Sequence, residues 1–271
     1  LKLILEEDPN NEEALYKICF WTDFTGRNEE SIRLHESIIN DQPYSALAWF
    51  NLAAAYQGLK LYEKAIDAYQ YAIVIDEKFD YAYRNMGDAF LRLRKYKEAI
   101  EALEKVLELS RPEDVIYEAI GHCYHRMKNY AQARFHYKKA VHLNPDDSRL
   151  YQKIASTYMQ EGHWEMAIKQ MEHALRIHKH INEYYIQLGE CYMQIGQYVE
   201  AAGYFGMVVT NKPKQIAGWE YLIRSLMAND QLDAALEQTE LAYMSTQGKT
   251  VFIYYRSAIL FKMGKSNEGL L

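Results

Sequence analysis

One cluster of residues returns every 34 positions without an insertion or deletion, from Pro9 to the end of the 271-residue chain. If Trp49, Tyr83, Tyr117, Tyr151, Tyr185 and Trp219 stand at the fourth position of each unit, the eleventh carries Tyr56, Phe90, Tyr124, Tyr158, Tyr192 and Leu226. The twentieth is then Ala65, Ala99, Ala133, Ala167, Ala201 and Ala235. A fixed period of this length means a stacked array, in which each unit buries its apolar face on its neighbours. Such a chain offers a surface to a partner, and the period alone does not name that partner.

The spacing inside one unit is helical. In residues 114–147 the first segment places Tyr117, Ile120, Gly121 and Tyr124 on one face, and the second places Ala133, Tyr137, Ala140 and Val141 at the same intervals. Between the segments, the fifteenth position carries Gly26, Gly162, Gly196 and Gly264, where a helix end favours a left-handed residue. Lys60, Arg94, Lys128 and Asp230 hold that position in the other units, where a positive φ costs about 1 kcal/mol relative to glycine. The five prolines (Pro9, Pro43, Pro112, Pro145 and Pro213) all fall at the step into the next unit. Small residues at the eighth and twentieth positions predict close approach of two antiparallel helices. Tyr69, Leu103, Tyr137, Met171 and Phe205 at the twenty-fourth fill the space around them.

The pattern is most complete in Tyr117, Ile120, Gly121, Tyr124, Ala133, Tyr137, Ala140 and Pro145, and in Trp49, Leu52, Ala53, Tyr56, Ala65, Tyr69 and Ala72. It resembles the tetratricopeptide repeat family over the entire chain. The resemblance implies an all-α fold, a right-handed α-solenoid of stacked antiparallel helix pairs forming a single array over 1–271. Whole repeats are expected at 12–45, 46–79, 80–113, 114–147, 148–181, 182–215 and 216–249. Partial repeats are expected at 1–11 and 250–271. Thr22, Ser31, Ser257, Leu260 and Gly269 depart from the pattern in the first and last repeats.

Composition excludes several classes of function. A net charge of −6 and an isoelectric point near 5.9 argue against nucleic acid as a ligand. No apolar run approaches the ~20 residues of a membrane span. The chain does not begin with Met, and Leu1–Glu7 reads as the back half of a helix, so a piece of a longer protein is expected. Cys123 and Cys191 share the tenth position two repeats apart, too far for a disulfide, and Cys19 occupies a small-residue slot. All three read as small buried thiols suited to a reducing compartment, and the expected location is cytoplasmic.

No phosphate loop, CxxC or HExxH motif is present, so neither an enzyme nor a cofactor is expected. His122 and His125 lie three apart, with Asp88 at the ninth position one repeat earlier. Paired histidines on a wet helix face are ordinarily polar surface, and no metal is expected there.

The resemblance also implies that the first helix of each repeat lines a concave face through positions two, five, six, nine, twelve and thirteen. The N-terminal stretch is apolar, with Tyr16, Phe20, Phe24, Leu47, Phe50 and Asn51. The middle is basic: Arg84, Arg92, Arg126, Arg149 and Lys153 outnumber Asp88 and Glu118, with Asn85, His122 and His125 among them. Toward the C-terminus come Glu183, Glu190, Glu220, Tyr221, Arg224, Tyr254, Tyr255 and Phe261. None of the position five and nine pairs is the Lys and Asn of repeats that grip chaperone tails, so that specificity is not expected. The expected function is a non-catalytic scaffold holding an extended or helical segment of a protein partner, with acidic segments drawn to Arg84, Arg126, Arg149 and Lys153. Alternatives are a regulatory arm of a larger enzyme or transcription regulator, and a scaffold that self-associates through uncapped ends. In that last reading Leu1, Leu3, Ile4 and Leu5 are partly bared at one end, and Phe252, Ile259 and Leu260 at the other.

Overall fold

The structure is a computed structural model that describes residues 4, 7, 8, 11, 13–15, 17, 18 and 25–265. Fourteen helices follow one another from Asn28 to Lys262, residues 4, 7, 13–15, 17 and 18 before them are also helical, and there is no strand among the described residues. The chain divides into two compact units, Leu1–Leu143 and Asn144–Leu271. Unit 1 contains α1 (Asn28–Asp41), α2 (Ala46–Gly58), α3 (Tyr62–Ile75), α4 (Asp80–Arg92), α5 (Tyr96–Leu109), α6 (Asp114–Arg126) and α7 (Tyr130–Leu143). Unit 2 contains α8 (Ser148–Gln160), α9 (Trp164–Ile177), α10 (Asn182–Gln194), α11 (Tyr198–Asn211), α12 (Ile216–Ala228), α13 (Leu232–Ser245) and α14 (Val251–Lys262).

The 34-residue register is kept throughout. Every even-numbered helix from α2 to α12 spans positions 1–13 of its repeat, and every odd-numbered helix spans positions 17–30. Within each unit a helix packs on its neighbours in sequence, giving stacked helix pairs. The last connection differs: Gln247 stands at the usual proline position with φ +60°, and α14 starts one residue late.

Each hairpin closes in the same way. Residues at the fifteenth position have left-handed φ, +68° at Gly26, +75° at Gly162, Gly196 and Gly264, and +57° to +61° at Lys60, Arg94, Lys128 and Asp230. The next N–H reaches back five residues: Leu61 donates to the Tyr56 carbonyl at 2.9 Å, Asn129 to Tyr124 at 2.9 Å and Gln197 to Tyr192 at 3.0 Å. This 6→1 bond satisfies a helix-end carbonyl that otherwise lacks a partner.

The core follows from the small positions. All six alanines at position twenty are fully buried. At position eight, Gly121 lies under the Tyr137 ring and Gly189 under the Phe205 ring, and an added Cβ would meet those rings at 2.6 Å and 2.4 Å. Cys123 and Cys191 are free and buried, and burial pushes each thiol up to about 12. Cys19 lies outside the described residues.

The expectation for the C-terminal end needs correction. Phe252, Ile259 and Leu260 are buried, Phe252 and Ile259 within the cluster formed with α11–α13. These positions face the preceding pair, so the apolar surface bared at this end is instead Ile253, Tyr254 and Phe261. At the other end Ile4 is exposed, whereas Leu1, Leu3 and Leu5 lie outside the described residues.

His136 on α7 is buried, stacked on Tyr124 at 5.4 Å with Phe135 edge-on at 5.2 Å. Burial, helped by the nearby Lys139 charge, brings its pKa down to about 4. His35 on α1 is shifted down by burial as well, against an opposing hydrogen bond to the Ser31 carbonyl.

Two outcomes are expected. Gly121→Ala and Gly189→Ala should each cost about 1–3 kcal/mol in urea melts, because the added methyl must displace a buried ring. A depressed histidine pKa leaves its stabilisation intact above the unfolded value near 6.5 and removes it as pH falls toward 4. His136→Phe should therefore flatten, without abolishing, the loss of melting temperature between pH 6.5 and 4, since His35 acts in the same direction.

Candidate functional site on the first-helix face

In unit 1 the even-numbered helices carry most of the expected groove residues, and many are engaged within the fold. Phe50 packs on Phe79 at 4.9 Å and on Tyr69 at 5.7 Å. Asn51 is 2% exposed and its amide donates to the Leu15 carbonyl at 3.3 Å, so it belongs to the core rather than to a contact surface. A buried polar side chain needs such a partner, and this requirement draws Asn51 inward. Tyr69 donates its hydroxyl to Gln57, Gln57 donates to Asp88 at 2.9 Å, and Arg92 lies 3.7 Å from the same carboxylate. Arg84 forms an ion pair with Glu113 at 2.6 Å, and Arg126 sits over the Tyr96 ring at 6.0 Å. His125 meets Tyr130 edge-on at 5.5 Å, His122 is exposed and Asn85 is half-buried. Tyr16, Phe20 and Phe24 lie outside the described residues.

Unit 2 begins with a charged clamp. Asp147 accepts from the Arg149 backbone N–H at 2.9 Å, capping α8, and takes both Nε and Nη2 of the Arg149 side chain at 3.0 Å and 2.7 Å. The side-chain bond from Arg149 holds the Asp147 carboxyl below its usual range, and Lys153 adds its charge. The four residues expected to form one basic centre are thus shared between the units, Arg84 and Arg126 in one, Arg149 and Lys153 in the other. Carboxylates close to Arg84, Arg92 and Arg149 offset much of their field.

A recess of about 400 Å³ opens further along unit 2, between α8, α10 and α12. Met159, Met193, Trp164 and Phe205 supply its apolar lining, and Glu190, Gln194, Tyr221 and Arg224 its polar groups. The packing explains its shape. Gly189 lets the Phe205 ring lie against α10, and Tyr221 stacks on Phe205 at 5.0 Å with planes 14° apart. Burial raises the Tyr221 pKa, and a hydrogen bond to Glu190 adds to the shift. Tyr255 is raised by burial and then by Glu220, with Arg224 opposing. Beyond the recess, Tyr254 and Phe261 are 75% and 73% exposed, seven residues apart on α14.

The methionines escaped the sequence reading, although the same period marks them. Position twelve carries Met159, Met193, Met227 and Phe261 in four successive repeats of unit 2, against Gln57, Leu91 and His125 in unit 1. A second regularity lies on the odd-numbered helices. Position twenty-six covers the position-four aromatic: Tyr71 on Trp49 at 4.4 Å, Lys139 over Tyr117 at 5.1 Å, and His173 on Tyr151 at 5.4 Å. Among the described residues no three His, Cys, Asp or Glu side chains are grouped to hold a metal ion, and no helix is long and apolar enough to cross a membrane.

With this geometry in place, the class is an all-α repeat protein of stacked helix pairs. Tetratricopeptide repeat models match residues 46–79 and 80–145, and a model for subunit 3 of the anaphase-promoting complex, cyclosome, matches 126–208. The chain is a tetratricopeptide repeat protein. Proteins of this family serve in general as scaffolds for protein interaction. In sequence, no curated protein matches the chain.

Solved structures share the fold. The C-terminal part of a tetratricopeptide repeat-containing protein from Cytophaga hutchinsonii is 20% identical with a TM-score of 0.68, covering 81% of this chain and 92% of that one. YrrB, described as having an unusual peptide-binding site, is 18% identical with a TM-score of 0.58, covering 69% and 96%. The Cut9–Hcn1 hetero-tetramer matches at 15% identity and a TM-score of 0.52, covering 95% of this chain and 51% of that one.

One outcome tests the clamp. Asp147→Ala should cost about 1 kcal/mol in a urea melt through loss of the α8 cap. Arg149→Ala should cost less than Asp147→Ala, since a largely exposed ion pair contributes little.

Proposed function

We propose that this protein is a non-catalytic interaction scaffold that holds an extended or helical segment of a protein partner across the first-helix face of unit 2. The observation that carries this reading is the recess between α8, α10 and α12, with apolar side chains inside and Glu190, Gln194, Tyr221 and Arg224 around them. A peptide site needs this combination: apolar volume to desolvate an anchor side chain, and a few polar groups to orient its backbone. Methionine suits the role because its unbranched side chain repacks around different shapes. The first-helix residues of the recess stand at positions six, nine, twelve and thirteen, the same positions that the family resemblance turns toward a partner, and Trp164 and Phe205 join them from the second helices. The peptide-binding site of YrrB lends the reading support by analogy.

The arginine cluster supports capture of an acidic segment less well. Its members are divided between two units, and Glu113, Asp88 and Asp147 already stand beside Arg84, Arg92 and Arg149. Neither nucleic acid nor a membrane is part of the proposal, and no cofactor is invoked.

The test is a pull-down with the full chain from extracts of its source, identification of retained proteins, and titration of the retained partner against variants. Met159→Ser/Met193→Ser should weaken that partner at least tenfold while the helical circular dichroism spectrum is kept. Unchanged affinity would remove the recess from the binding surface.

A further inference from the structure

Charge on the first-helix face of unit 2 is nearly balanced. Arg149, Lys153, Arg224 and Lys262 stand among Glu183, Glu190 and Glu220, and Asp147 already offsets Arg149. The sign of a segment's charge is therefore a poor basis for its selection along this face. The recess between α8, α10 and α12 is balanced as well: among its lining residues only Glu190 and Arg224 are charged, one of each sign. A charged side chain entering it would give up hydration, and the repulsion from one of these groups would cancel much of the attraction from the other. The side chain that suits the recess is thus a neutral one.

The walls distinguish one neutral side chain from another. A cavity of ~150 Å³ holds a benzene-sized ring, and the recess measures about 400 Å³. On one side the Phe205 and Tyr221 rings lie stacked, 5.0 Å apart at 14°. Trp164, the thioethers of Met159 and Met193 and the guanidinium of Arg224 complete that lining. Sulfur, ring and guanidinium share one preference: each gains from an aromatic ring beyond what it gains from an alkyl chain. Six of the eight lining side chains are of these kinds. The other two, Glu190 and Gln194, can accept hydrogen bonds. A carboxylate at the edge of an apolar recess loses water when the recess is filled, and a donor on the incoming group restores what is lost.

From this lining we infer that the recess takes a neutral aromatic side chain with a donor of its own, tryptophan or tyrosine, its ring against Met159 and Met193 and its N–H or O–H turned to Glu190. The inference rests on the groove reading above and adds the chemistry of the anchor. Phenylalanine fills the same space but leaves Glu190 without the replacement donor. Leucine forgoes the ring contacts as well. A site that offers an unmatched acceptor in this way discriminates against anchors that lack the donor.

The experiment uses the full chain, isotope-labelled at its methionine methyl groups, and four neutral probes: the N-acetylated amides of tryptophan, tyrosine, phenylalanine and leucine. Met159→Leu and Met193→Leu assign the two methyl resonances of the recess. A ring placed against either thioether moves its resonance through the ring current. The tryptophan and tyrosine amides should shift both resonances saturably, while that of Met244, 68% exposed on α13, stays in place. The phenylalanine amide should bind about tenfold more weakly, and the leucine amide more weakly still. Glu190→Leu should bring the three aromatic amides to similar affinity while each still shifts the Met193 methyl.

A leucine amide that binds as well as the aromatic ones, no saturable shift with the tryptophan amide, or a tryptophan preference kept by Glu190→Leu would each overturn the inference. The groove reading fails in a different way. If Met159→Ser/Met193→Ser leaves the retained partner unaffected, the recess is not the seat. If that variant weakens the partner while the four amides bind alike, the seat stands and the aromatic anchor falls.

Discussion

The contact on which the rest depends is the approach of two helices within one repeat, where a small residue at position eight admits the large side chain of position twenty-four. Gly121 against Tyr137 and Gly189 against Phe205 are its tightest forms, with no room for even a methyl group. A single helix pair cannot bury its apolar stripe alone, so stacking is what makes each pair stable. The left-handed residue at position fifteen serves this contact by reversing the chain in the fewest residues. Lys60, Arg94, Lys128 and Asp230 adopt that conformation despite their side chains because packing on both sides over-determines it.

The same contact reaches the surface. Phe205 is held against α10 because position 189 has no Cβ, and Tyr221 is held in place because it stacks on Phe205. Tyr221 then brings its hydroxyl to Glu190 at the rim of the recess. A core constraint therefore sets the position of a candidate contact residue one repeat away. A rigid aromatic placed in this way can meet a partner with little further loss of side-chain freedom.

Charge is organised differently in the two units. In unit 1, Gln57 donates to Asp88 and ties consecutive repeats together, while Arg92 and Arg84 pair with Asp88 and Glu113 within one repeat. Arg149 does similar work at the start of unit 2, where it stiffens the Asp147 cap. Further along unit 2, Glu190 accepts the Tyr221 hydroxyl of the next repeat, and Glu183 accepts from Gln187 on its own helix at 3.1 Å.

Sequence alone determined the hairpin turns, the burial of Cys123 and Cys191 and the family, because each is set by one period acting through local backbone rules and burial. Every hairpin turn among the described residues, from Gly26 to Gly264, falls on the position that the period marks, whereas Gln247 and Gly248 turn left-handed at the last step between repeats, where the period marks no such residue. What each surface residue does was decided by tertiary structure. Position six carries both Asn51 and Tyr221, yet Asn51 turns inward to satisfy the Leu15 carbonyl while Tyr221 lies at a recess. Arg84 and Arg149 count as positive charge in a sequence, but their field depends on Glu113 and Asp147, which only folding brings to within a hydrogen bond. Phe252, Ile259 and Leu260 likewise read as an open end until packing covers them. Periodicity specifies which side of a helix a residue occupies. Whether that side is free, paired or buried depends on the neighbouring helix, and that neighbour's side chains are set by other positions in the chain.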